Sequence, residues 1–202
     1  MIFALIPAAG KSTRMGQPKL ALPIGGKPVL ERVIRALREA AVDRILVVLG
    51  PHVPALIPIA EGAGALALPL ALQTADMRGT VDLGLQWLEE RFQPGSSDSW
   101  LLAPGDHPTL DSQVVRQLIS AGQSDTRHSI HVPVYQGRRG HPALLRWAHV
   151  ARIREFPRDL GLNEYLRRHI SETNEIPAES AEVLRDLDTF ADYESLRRAY
   201  GE

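Results

Sequence analysis

Thirteen positions of this sequence, Pro7 to Lys19, hold two alanines, two glycines, two hydroxyl residues and three cations. Small residues let a backbone come close to an anion, so that its N–H groups can point at phosphate oxygens. Lys11, Arg14 and Lys19 add full positive charge at the same place. The chemistry this suits is the binding of a nucleoside triphosphate. Two carboxylates further on could hold a metal beside it: Asp106, in Pro104-Gly-Asp-His-Pro108, and Asp188, in Asp186-Leu-Asp-Thr189. Mg²⁺ takes few carboxylates together with phosphate oxygens and water. Plainer roles stay open for both. Asp106 could be a turn residue and Asp188 an ordinary helix N-cap, with Asp186 in reserve as second ligand.

The lysines point to the same stretch. The chain has 20 arginines but only three lysines, Lys11, Lys19 and Lys27, all in its first 27 residues. A chain that otherwise prefers arginine keeps a compact, swinging ammonium there, and Lys19 is the position where that matters most.

These residues need elements to position them. The apolar run from Phe3 to Pro7 reads as a buried strand that delivers the loop. Val29, Leu30, Val33, Ile34, Leu37 and Ala41 recur at helical spacing, and Ile45 to Leu49 form a second apolar run. Strand, loop, helix and strand make a βαβ unit with a right-handed crossover expected. Pro51, Pro54 and Pro58 leave room only for a short or irregular helix. Expected next are a strand at 66–72, a helix at 79–92, a strand at 100–103 and a helix capped by Asp111. A strand at 129–135, a cation-rich turn at 136–142 and a mostly helical stretch at 143–170 follow. The chain then reads as a strand at 183–187 and a last helix at 191–200, capped by Asp188 or Thr189. This alternation implies a three-layer α/β/α architecture with a mostly parallel sheet, in a single domain over 1–202. Such sheets bind ligands at the carboxyl ends of their strands, where the first loop, Asp106 and Asp188 are all expected.

Composition removes other classes. With no cysteine, the chain has no disulfide, thiolate nucleophile or Cys-based zinc site. A net charge of −1 argues against general nucleic-acid binding. No basic, apolar leader and no run of the roughly 18 to 20 apolar residues of a membrane helix is seen, so a cytoplasmic protein is expected. His107 and His141 precede prolines and lack partners at metal-ligand spacing, so turn residues are the first reading.

The loop is not a Walker A motif, because Gly16 lies six after Gly10 and is followed by Gln17. Nor is it Gly-x-Gly-x-x-Gly or the Gly-x-Ser-x-Gly elbow of hydrolases. Pro7-Ala-Ala-Gly-x-Ser-x-Arg-Met-Gly-x-Pro-Lys-Leu20 resembles the signature of the MobA-like NTP transferases, and within them the molybdenum-cofactor cytidylyltransferases. Gly25-Gly-Lys-Pro28, Ala103-Pro-Gly-Asp-His-Pro108, Gly137-Arg-Arg-Gly-His-Pro142 and Leu184-Arg-Asp-Leu-Asp-Thr-x-x-Asp-Tyr193 are similar to further motifs of that family. Two stretches depart from it: Arg78-Gly-Thr-Val-Asp-Leu-Gly84, and Arg158-Asp-Leu-Gly-Leu-Asn163, which lacks the family's arginine.

The resemblance implies a Rossmann-like, GT-A-like nucleotide-diphospho-sugar transferase fold with a mixed, mostly parallel sheet. It implies a Mg²⁺-dependent transfer of CMP from CTP to a phosphorylated small-molecule or cofactor acceptor, with molybdopterin as first candidate. Both partners are anions, so positioning and charge neutralisation dominate. Ala8, Ala9, Gly10, Lys11, Ser12 and Thr13, with Gly79 and Thr80, are then expected around the nucleotide. Arg14 would grip the β- and γ-phosphates and Lys19 would neutralise the α-phosphoryl group. Asp106 and Asp188 would hold the metal, and Arg138, Arg139 and His141 could face the acceptor. Ala8-Ala9-Gly10 favours CTP over GTP on resemblance alone. Two alternatives remain: a sugar- or polyol-phosphate nucleotidyltransferase, and a non-catalytic CTP-binding protein that delivers a cofactor to a recipient enzyme.

Overall fold

The computed structural model describes residues 1–11 and 15–201. In chain order its elements are β1 (Ile2–Ala8), β2 (Pro23–Ile24), β3 (Lys27–Pro28), α1 (Val29–Glu39), β4 (Arg44–Leu49) and α2 (Leu56–Gly62). There follow β5 (Leu66–Pro69), α3 (Met77–Phe92), β6 (Ser99–Leu102), α4 (Ser112–Ser124), β7 (Ile130–Tyr135), β8 (Arg138–Arg139) and β9 (Ala143–Arg146). Last come α5 (His149–Glu155), α6 (Leu162–Arg168), β10 (Thr173–Pro177) and α7 (Phe190–Ala199).

The main sheet runs β10-β7-β9-β6-β1-β4-β5, with β8 hairpinned onto β7. β1 lies in its interior, parallel to both β4 and β6, with Phe3 opposite Arg44 and Trp100. Alternation along β1 divides the core. Ala4, Ile6 and Ala8 face a cluster with α1, α2 and α4, while Phe3 and Leu5 face one with α3, α5 and α6. A strand buried on both faces must be apolar throughout, which is why the run Phe3-Ala-Leu-Ile6 is uninterrupted. Three layers result, as the alternation of elements implied. Gly84 lets α3 lie directly on this sheet, since a Cβ there would come within 2.6 Å of Leu5 and 2.7 Å of Val48.

Four expectations are corrected. The stretch 143–170 is not mostly helical from its start: Ala143–Arg146 is β9, antiparallel to β6 and β7. Three apolar residues in a row fit a buried strand and a helix start equally, and the sheet decides between them. β10 was not expected, because Thr173-Asn-Glu-Ile-Pro177 is a polar edge strand with little apolar pattern. The expected strand at 183–187 does not form. Ala181–Leu184 is a 3₁₀ turn, and residues 185–188 continue as an extended strap outside the sheet. β10 already pairs with β7 at that edge, so the strap and the turn before it bond to loops instead: Leu187 N–H to the Asp106 carbonyl at 2.9 Å and His141 N–H to the Val183 carbonyl at 2.8 Å. Asp188 therefore follows this strap and not a strand. Finally, α3 begins at Met77, capped by Asp76, two residues before Gly79.

The 3₁₀ turn that leads into the strap makes one tight backbone contact. A Cβ on Gly140 would lie 2.3 Å from the Val183 carbonyl oxygen and 2.8 Å from its carbon. Both partners are backbone and cannot rotate away. We expect Gly140→Ala to cost about 2–3 kcal/mol in denaturant unfolding, the range of overpacked sites.

A buried polar knot ties β7, α5, α6 and β10 together. His149, 1% exposed, meets the Tyr165 hydroxyl at 2.7 Å and the Ser129 hydroxyl at 2.8 Å. Arg152 donates two bonds of 2.7 Å to Glu172 beside them. Burial, reinforced by the Arg152 charge, brings His149 down to about 4. The unfolded chain's imidazole titrates near 6.5, so between these values the unfolded state binds a proton that the fold refuses. Stability from this site is thus fully present above about pH 6.5 and falls as pH drops toward 4, by up to about 3 kcal/mol. Urea unfolding of wild type and His149→Gln at pH 7.5 and 5 checks this; the pH slope should flatten in the variant.

Candidate active site

The loop after β1, the start of α3, the loop after β6 and the end of the strap enclose a cleft of about 570 Å³. It lies at the carboxyl ends of β1 and β6, as parallel sheets dictate. Pro7, Ala8, Ala9 and Gly10 form one wall, Gln73 to Met77 and Thr80 a second, and Pro104, Gly105, Asp106 and Asp188 the floor with Lys19.

Lys19 is the centre of this floor. Its ammonium donates to Asp106 Oδ2 at 2.7 Å, to the Leu187 carbonyl at 2.7 Å and to Asp188 Oδ1 at 3.0 Å. Leu20 anchors the short 3₁₀ turn Lys19–Ala21 in the core, which fixes the direction of the lysine stem. Burial pulls the ammonium's pKa down, but Asp106 and Asp188 outweigh it and hold the group above its ordinary value. The charge is therefore fixed at neutral pH. Three groups separated by up to 169 positions converge on one nitrogen.

The strap brings Asp188 there and leaves Asp186 outside the cleft. Asp186 turns away to pair with His107 Nε2 at 2.5 Å, and that bond holds its carboxyl below the ordinary range. Thr189, not Asp188, caps α7, in a capping box with Asp192. Asp188 lines the cleft and accepts from Lys19, while Asp186 and His107 brace the strap against the loop after β6.

The first loop is oriented by residues that had attracted no attention in the sequence. Gln73 donates to the Ala9 carbonyl at 2.8 Å, and His52 Nε2 lies 3.2 Å from the Gly10 carbonyl. Thr74 and Thr80 share a 2.6 Å hydroxyl bond, and Asp76 accepts from Gly79 N–H at 2.8 Å. Their signal was faint: Thr74-Ala-Asp76 before a helix is a capping pattern, but Gln73 and His52 stand alone in turns.

The other expected residues divide. Ala8, Ala9, Gly10, Lys19, Thr80, Asp106 and Asp188 line one cleft. Gly79 does not line it, and its N–H belongs to the helix cap. Lys11 is exposed beside the loop. Ser12, Thr13 and Arg14 lie outside the described residues. Arg138, Arg139 and His141 are not brought into the cleft. Arg139 pairs with Glu175 at 2.8 Å on the far hairpin. His141 packs edge-to-face on His107, ring centres 5.0 Å apart, beside a separate hollow of about 220 Å³. Burial and the neighbouring His107 bring it down to about 4.

The donor set fits a Mg²⁺-like ion held partly by phosphates. Two carboxylates face one cationic position, and the cleft beside them has room for phosphate oxygens. No group of three or more acidic or histidine side chains among the described residues could cage an ion without such help.

A parallel sheet with a small-residue loop, a lysine and two carboxylates at its carboxyl ends defines a nucleotide-handling α/β protein. Residues 4–173 match the MobA-like NTP transferase domain, and the chain belongs to that family. It is 36% identical over 132 residues to the 2-C-methyl-D-erythritol 4-phosphate cytidylyltransferase of Ralstonia nicotianae, covering 61% of this chain and 51% of that protein. It is 35% identical over 136 residues to the bifunctional protein GlmU of Mycolicibacterium paratuberculosis, covering 63% of this chain and 26% of that one. The chain thus spans about half the length of the first of these relatives and about a quarter of the second. Among solved structures, Rv0371c of Mycobacterium tuberculosis superposes with a TM-score of 0.83 over 98% of each chain at 23% identity. The same protein has also been solved as a complex with manganese.

Proposed function

We propose that this protein is a nucleotidyltransferase that moves CMP from CTP onto a phosphorylated small molecule and releases pyrophosphate. The observation that carries this is the convergence of Lys19, Asp106 and Asp188 on one point below the β1 loop. An oxygen of the acceptor phosphate attacks the α-phosphorus of CTP, and the bond from that phosphorus to the bridging oxygen of pyrophosphate breaks. An ionised phosphate needs no general base, so the chain's task is to position two anions and neutralise their charge. The backbone of Ala8 to Gly10, held by Gln73 and His52, faces the triphosphate; Arg14 grips its outer phosphates. Lys19 supplies charge at the α-phosphoryl group. Asp106 and Asp188 hold a divalent ion, Mg²⁺ by preference, which would supply charge neutralisation at the phosphates.

Molybdopterin, suggested by the loop signature, is the first acceptor to test. A polyol phosphate is the second, favoured by the Ralstonia nicotianae relative, whose name specifies such an acceptor. Pyrophosphate release, measured with each of four nucleoside triphosphates and with molybdopterin, polyol phosphates and sugar phosphates, separates them. The expected result is CTP-dependent release with one acceptor class. Silence at high enzyme with every pair, while calorimetry shows CTP bound, would replace the enzyme with a CTP-binding delivery protein.

A further inference from the structure

The ammonium of Lys19 already stands where the proposed site wants a cation. It takes one oxygen from each of the two carboxylates, Asp106 and Asp188, that would hold the metal. A divalent ion seated on those oxygens competes with the ammonium for them. The Lys19 side chain is 16% exposed, and its four-carbon stem can swing between partners.

We propose that Lys19 is an exchangeable counter-cation: it holds Asp106 and Asp188 until a divalent ion takes them, and is thereby released to the phosphates. This rests on the reading of Asp106 and Asp188 as the metal seat and adds what Lys19 does before the nucleotide is bound. The exchange adds a divalent ion to the floor and sends the Lys19 ammonium to the phosphates in the same event. Metal and triphosphate binding are thereby linked, and each promotes the other. A lysine that merely props the carboxylates in place would behave differently, because its loss would weaken both ligands.

The test uses Mn²⁺ alone, followed by its electron paramagnetic resonance signal, on the full chain without nucleotide. Lys19→Met removes the competitor, so Mn²⁺ should bind about tenfold tighter, the scale of the two ion pairs it makes with Asp106 and Asp188. Calorimetry with CTP in the presence of Mn²⁺ should show the opposite, about tenfold weaker binding of the nucleotide. Unchanged or weaker Mn²⁺ binding by a folded Lys19→Met variant would overturn the exchange. Lys19→Gln, which keeps a donor for the Leu187 carbonyl, guards against a collapse of the floor and should show the same signs. Asp106→Asn is the control for the underlying reading. If it left Mn²⁺ binding intact, the metal seat itself would be wrong and the exchange with it. A second readout is direct: with only three lysines in the chain, Mn²⁺ should speed acylation of Lys19 and leave exposed Lys27 unchanged.

Discussion

Asp106→Asn should lower turnover by about a thousandfold or more while circular dichroism and unfolding midpoint stay near wild type. Removal of a single charge-stabilising group from a preorganised site costs about 10²–10³ in kcat, and here the group serves two purposes. It is one of the two carboxylates proposed for the metal, and it holds the Lys19 ammonium at 2.7 Å. The fold should tolerate the change, because Asp106 is partly exposed and its backbone carbonyl, not its carboxylate, receives Leu187 N–H. Steady-state pyrophosphate release measures the loss. A variant with near-wild-type kcat would remove Asp106 from the reaction and leave it a turn residue. Mn²⁺ in place of Mg²⁺ should not rescue asparagine, since the missing group is the charge itself.

The second large effect is on stability and comes from Arg78. Its guanidinium, 5% exposed, donates to the carbonyls of Pro157, Leu160, Ile153 and Phe156, the last three at 2.8, 2.6 and 2.7 Å. One side chain thus fastens the start of α3 to the turn between α5 and α6. Arg78→Met keeps the stem and strips every one of these bonds. Buried carbonyls left unpaired cost about 1–3 kcal/mol each, though the exposed turn can rewet some of them. We expect a net loss of about 3–5 kcal/mol in urea unfolding, the range for breaking a buried charged network. Arg78→Lys should recover little, because an ammonium cannot span four acceptors from one planar fork. A loss under 1 kcal/mol for Arg78→Met would show that the turn holds itself.

Arg78 also joins the two places where the sequence departs from its family's motifs. Residues 78–84 and 158–163 look unrelated along the chain. In the fold, Arg78 bonds the carbonyls of the segment that leads into the second, and Arg158 lies 3.8 Å from Asp82 of the first. The two departures are one packing arrangement.

What was legible from sequence was whatever local pattern decides. The buried run of β1, the helical spacing of α1 and the caps at Asp111 and Thr189 all stand where pattern and capping chemistry put them. What was not legible depends on distant partners. β9 becomes a strand only because β6 and β7 lie on either side of it. Residues 183–187 read as a strand in the sequence, yet the edge they would join is already filled by β10. In the site, Lys19, Asp106 and Asp188 carried motif signals, whereas Gln73 and His52 act through a single side-chain bond each to the loop's carbonyls. No spacing rule reveals such a bond before the chain is folded. Arg138, Arg139 and His141 show the converse: a motif-borne turn that the topology places on another flank.

The strap has one more consequence, and it concerns the order in which the contacts of Lys19 are assembled. The family match ends at residue 173, yet Asp188 lies beyond it, on a segment outside the sheet. A nascent chain of that length would already carry the first loop, Lys19 and Asp106. It would lack the partner 169 positions from Lys19 that finishes the cation seat. Translation therefore delivers Asp188 to the Lys19 ammonium only after every described strand of the sheet has been made.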